Sequence, residues 1–161
     1  MTIDQRKSHL IQVGLFLSQF HREGIQQLSD LPHNDLFFNA FREQIDLAVH
    51  YNGWFTRENV LFSLEEWSKA LTEANLDNWL KPYNFSNQDP KTVGIVMAGN
   101  IPLVGFHDFI SVLISGHQVL IKQSSNDQKL LPILADYLMA IEPGYKAVSY
   151  THLTLPTKRI V

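Results

Sequence analysis

Two short apolar runs set the strongest constraint on this chain. Residues 92–98 read TVGIVMA and residues 118–121 read QVLI, with no charged side chain in either. Each run is too short for most helices and suits a buried strand. Between them lie Gly99-Asn100-Ile101-Pro102, an apolar stretch over 103–115 and then Gly116. The stretch suits a helix with Phe106, Phe109, Ile110, Leu113 and Ile114 inward, and Gly116 is a natural stop. Strand, helix, strand at this spacing predicts a parallel βαβ unit. A further helix is expected from Asn126 or Asp127 to about residue 141, with Pro132 near its start and Pro143-Gly144 after it.

Residues 1–90 have a different character, with 12 acids and 7 bases (−5) against 4 acids and 6 bases (+2) in residues 91–161. Apolar residues three and four apart predict helices over about 4–21, 35–51 and 57–72, and a short one holding Leu76, Trp79 and Leu80. Thr56 is a candidate cap for the third. The polar segment SNQDPK, residues 86–91, is the expected boundary between this helical region, 1–90, and a βαβ region, 91–146.

Composition removes several functions. The chain of 161 residues has no cysteine, which excludes disulfides, thiolate metal sites and an internal cysteine nucleophile. A formal charge of −3 offers no basic field for nucleic acid. Gly and Pro punctuate residues 93–114, and Asn100, His107 and Asp108 interrupt them, so strand, turn and helix explain that run better than a membrane span. The start, MTIDQRKSHL, lacks the apolar core of a signal peptide, which fits a cytoplasmic protein. The seven histidines form no metal pattern. Glu65 and Glu66 read as a solvated helix face. His107 and Asp108, adjacent on a helix, are expected to diverge. Ser111 with His107 and Asp108 lacks the G-x-S-x-G elbow of a serine hydrolase.

Ligands of open α/β sheets gather beyond the C-terminal strand ends. Here those ends are Gly99-Asn100 and Lys122-Gln123-Ser124-Ser125. Asn100 can donate to an oxyanion if its backbone is fixed, or can bond its own turn. Lys122 can meet a ribose hydroxyl or phosphate, or can snorkel from a strand end. Ser124 and Ser125 can bind a ligand oxygen or simply open a helix. No G-x-G-x-x-G or Walker motif is present.

Residues 93–138 resemble the early cofactor-domain segment of the aldehyde dehydrogenase superfamily, and GNIPLVGFHDFISVLISGH at 99–117 with NGWFTRENV at 52–60 points to one branch of it. The closer likeness is to its acyl-CoA reductase branch, which includes the fatty-acid reductase of bacterial luminescence. The likeness covers roughly residues 35–146. It implies an α/β fold: a truncated aldehyde-dehydrogenase-like, Rossmann-like cofactor domain preceded by the helical region. It also implies reduction of a long-chain acyl-CoA, or another activated acyl donor, to an aldehyde. NADPH is the implied cofactor, with NADH open, because Ser125 stands where NAD-preferring relatives often carry glutamate. Asn100 is implied as the oxyanion donor. Ala98, Gly99, Lys122, Ser124 and Ser125 are implied at the cofactor. Ala98-Gly99 replace the usual Pro-Trp, and Gln123 replaces the usual proline.

In that family a cysteine takes up the acyl group, and this chain has none. The expectation is therefore an N-terminal piece of a larger enzyme, inactive alone. From about Ala147 the string AVSYTHLTLPTKRIV is expected to depart from the family, and SYTHLTLPT resembles translated sequencing adapter. Acyl-chain length and homo-oligomer formation stay open. A helical scaffold or interaction domain is the competing reading. It accounts for the aromatic helices but not for the spacing from Asn100 to Lys122.

Overall fold

The computed structural model describes residues 1–85 and 89–146 and the backbone of 147 and 149–150. It is a mixed helix and sheet structure. Among the described residues, six α-helices accompany a two-stranded antiparallel hairpin and a three-stranded parallel sheet. Segment 86–88, inside the expected boundary, and residues 151–161 of the suspected adapter string lie outside the described residues.

Helix α1 (Ile3–Leu17) starts with a reciprocal cap: Gln5 N donates to Thr2 Oγ1 at 3.2 Å, and Thr2 N donates to Gln5 Oε1 at 2.8 Å. The helix stops four residues short of the expected residue 21. Phe20–His21 (β1) instead turns back to pair with Gly24–Ile25 (β2). Glu65 holds this hairpin, accepting from Arg22 N at 2.7 Å and Arg22 Nε at 3.0 Å. Glu65 is thus buried rather than on a solvated face, and the hydrogen bonds from Arg22 lower its pKa. Helices α2 (Asn34–Tyr51), α3 (Arg57–Ala70) and α4 (Glu73–Leu80) lie close to their expected ranges. Thr56 caps α3, accepting from Asn59 N at 3.2 Å.

The parallel sheet runs β3 (Thr92–Val96), β4 (Gln118–Lys122), β5 (Ser149–Tyr150) in spatial order. Helix α5 (Phe106–Ile114) links the first pair and α6 (Leu130–Ile141) leads toward the third strand through a short 3₁₀ turn, Pro143–Ala147. Strand β3 ends at Val96, two residues before the expected end. It is also less buried than a fully covered strand. Alternation explains this: Ile95, Val119 and Ile121 face the core, while Val96 on the other face is 77% exposed. Parallel sheets normally have both faces covered. Helix α5 begins at Phe106 rather than 103, because Leu103 adopts a left-handed backbone with φ 57°. Helix α6 begins at Leu130 rather than 126, which places Pro132 in its first turn, where no intrahelical N–H is needed.

Helix α1 joins the two regions. It packs on α3 and α4 of the first region and on α5 and α6 of the second. Phe16 is fully buried and meets the Phe41 ring at 5.4 Å and the Tyr137 ring, stacked, at 4.5 Å. Arg6 bridges the same parts, donating from Nε to the Ile114 carbonyl at 2.8 Å and so satisfying a helix end.

Two substitutions test this core. Phe16→Ala is expected to destabilise by about 3–5 kcal/mol, because it opens a cavity between the α2 and α6 contacts. A loss under about 1 kcal/mol in urea unfolding would show that the core closes without it. Tyr137→Phe has the opposite sign. The Tyr137 hydroxyl is buried with no hydrogen-bond partner among the described residues, and burial pushes its pKa up to about 12. Removing it is expected to be neutral or stabilising by up to about 1 kcal/mol. A clear loss of stability would reveal an internal water at that oxygen.

Candidate active site

Two loops build the site, one leaving β3 and the other leaving β4. The two strands pair in parallel register, Val96 opposite Lys122, and Met97 N extends the ladder by donating to the Lys122 carbonyl at 3.0 Å. Both chains therefore leave the sheet at one rim. There the loops touch. A Cβ placed on Gly99 would lie 2.6 Å from Ser124 Cβ, so only glycine lets the post-β3 loop sit against the post-β4 loop. Ala98, Gly99 and Asn100 occupy the first loop, and Ser124 and Ser125 the second, with Lys122 closing β4.

Their environments differ. Asn100 is exposed, and no hydrogen bond holds its side chain among the described residues. Lys122 is half-buried. Ser124 Oγ accepts from Asn126 N at 3.3 Å, which leaves its proton free to donate. Ser125 is exposed and borders a cavity of about 260 Å³ between α2 and the post-β4 loop.

Two further residues position the rim. Asn52 donates from Nδ2 to the Gly99 carbonyl at 2.8 Å and accepts from Trp54 N at 3.0 Å, tying the α2–α3 turn to the post-β3 loop. Its place in an Asn-Gly turn is visible in the sequence, but its reach across 47 positions is not. Asp127 accepts from Leu103 N at 3.3 Å and so cross-braces the two loops at the left-handed residue. In the sequence it reads only as a helix cap. Burial pushes its carboxyl up to about 6, partly offset by the Leu103 hydrogen bond.

Other candidate chemistry falls away. Ser111 Oγ donates to the His107 carbonyl at 2.7 Å, as an ordinary helical serine does, and is not aimed at a base. His107 Nδ1 and Asp108 Oδ1 approach to 3.8 Å, against the expectation that these helix neighbours diverge. No group of metal-ligating side chains occurs among the described residues. Among those residues, no helix is long and apolar enough to cross a membrane.

The raised carboxyl of Asp127 has a pH signature. Its folded pKa of about 6 exceeds the ordinary 3.8, so the native state binds more protons between those values. Stability is therefore expected to fall as pH rises from about 4 to about 6. Asp127→Asn is expected to flatten that slope, with Asp136, raised in the same direction by burial, keeping part of it. Urea unfolding at four pH values across the window checks it, and an unchanged slope in the variant would assign the effect to another group.

A family model described as Acyl-CoA reductase (LuxC) matches residues 16–152. The match takes in the helical region from the end of α1 onward, and the sheet. It is wider at both ends than the likeness over 35–146, and it includes residues 147–152, where the sequence predicts departure from the family. Comparison with curated proteins gave no match, and comparison with solved structures gave none.

Proposed function

The chain belongs to the LuxC acyl-CoA reductase family, and we propose from that premise that it is the N-terminal part of an enzyme reducing long-chain acyl-CoA to fatty aldehyde with NADPH. The observation that carries the reading is the shared rim: parallel register delivers the Asn100 loop and Lys122 to one edge of the sheet. The fold type proposed with it is a Rossmann-like, aldehyde-dehydrogenase-type cofactor region.

The residues present suit a dinucleotide. Lys122, a half-buried residue, offers an ammonium for a ribose hydroxyl or phosphate. Ser124 keeps a free donor, and Ser125 places no negative charge beside a 2′-phosphate. Ala98 and Gly99 present backbone without bulk. The bound dinucleotide supplies hydride. Asn100 supplies a side-chain amide where negative charge develops as a thiolate adds to the acyl carbonyl. Its turn is fixed on one side by Asn52 at Gly99 and on the other by Asp127 at Leu103. The thiolate comes from outside residues 1–161, because the chain has no cysteine. Thiolate suits this step, being both a strong nucleophile and a competent leaving group. Residues 1–161 alone are expected to form no aldehyde.

Titration with NADPH tests the reading. Saturable binding is expected, weakened about tenfold by Lys122→Ala, which corresponds to about 1.4 kcal/mol. Failure of both NADPH and NADH to saturate the full-length protein would remove the dinucleotide site and favour a scaffold. Equal affinity in the variant would move the site away from Lys122.

A further inference from the structure

The groove beside Asn100 has a chemistry of its own. It holds about 320 Å³ between α3, the turn before it, and Ile101-Pro102. Its walls are Trp54, Phe62, Trp67, Ile101 and Pro102. Three of these are unusually open for apolar side chains: Trp54 is 68%, Phe62 49% and Ile101 55% exposed. Single exposed apolar residues are ordinary, but a cluster lining one groove is not.

The polar groups around the groove are nearly all committed. Asn59 Nδ2 donates to the Trp54 carbonyl at 2.9 Å, and Ser63 Oγ donates to the Pro102 carbonyl at 2.9 Å. Glu66 pairs with Lys69 at 2.7 Å. Among the described lining residues, the Asn100 amide and the indole N–H groups of Trp54 and Trp67 remain as donors without a partner, and Asn100 is the one beside the strand end. A side-chain amide on the lining of an otherwise largely aromatic and aliphatic trough fits a ligand with a carbonyl head and a hydrocarbon tail. The Ser63 bond also pins Pro102 to α3, so the trough wall and the Asn100 turn are held together.

We propose that this groove seats the acyl chain, with Trp54 and Phe62, contributed by the helical region, as the residues that set chain preference. The inference rests on the reading of Asn100 as the donor to the acyl carbonyl. It assigns the helical region a direct part in substrate selection. The tail runs from Asn100 between Trp54 and Ile101 toward Phe62. A longer tail covers more apolar surface, so affinity rises with chain length until the groove is filled.

Calorimetric titration with CoA, butyryl-CoA, octanoyl-CoA and dodecanoyl-CoA tests this on the same protein. Affinity is expected to climb severalfold along the series. Trp54→Ala and Phe62→Ala are expected to weaken dodecanoyl-CoA at least fivefold while leaving CoA itself and NADPH unchanged. Both side chains are substantially exposed, so the variants should retain their fold, which circular dichroism verifies. Trp54→Phe should restore most of the binding. Equal loss for CoA and dodecanoyl-CoA, or no dependence on chain length, overturns the seat. So does a concentration-dependent dimer that Trp54→Ala abolishes while acyl-CoA affinity stays the same. NADPH binding that depends on Lys122 but no acyl binding in the groove would defeat only the seat. Acyl binding in the groove without any dinucleotide binding would defeat the reductase reading instead.

Discussion

The hydrogen-bond ladder between Thr92–Val96 and Gln118–Lys122 is the interaction on which the site depends. A parallel pair brings both outgoing chains to one edge, whereas an antiparallel pair would send them to opposite edges. Register matters as much as direction. A slip of one residue would turn Lys122 to the core face and bring Ile121 out. The buried trio of Ile95, Val119 and Ile121 opposes such a slip, since it would move apolar surface into water.

The ladder does not hold the loops by itself. Beyond it, three polar ties take over: Asn52 to Gly99, Asp127 to Leu103, and Ser63 to Pro102. Two of these come from the helical region. The helices are therefore more than a lead-in, because they hold the post-β3 loop from outside the sheet. Leu103 shows the result most directly. Its left-handed backbone is unfavourable for a side chain with a Cβ, yet it is only 2% exposed and its N–H is bonded to the Asp127 carboxyl. Helix α1 connects the same helices to α5 and α6, so the rim, the groove and the aromatic core share one set of supports.

The information legible in the sequence is local. Apolar spacing places the helices of the first half, and the two apolar runs place β3 and β4, because those patterns record which faces are buried. Errors arise where distant residues override local preference. The end of α1 is hidden because Arg22 is captured by Glu65, 43 positions away. The late start of α5 is hidden because Asp127 takes the Leu103 amide from 24 positions away. In the site, Asn100 and Lys122 are legible as polar residues just after apolar strands. Asn52 and Asp127 are not, since nothing in their neighbourhoods announces a tertiary partner. The trough likewise requires coordinates, because Trp54 and Ile101 look like ordinary core residues until their exposure is seen.

The uncovered face of the sheet places a second duty on Lys122. Alternation puts it on the same side as Val96, directly across the ladder. Val96 leaves apolar surface open to water on that face, and a neighbouring ammonium is a common deterrent to stacking on such surface. Removing the charge at Lys122 would therefore remove a deterrent to stacking as well as the proposed phosphate contact.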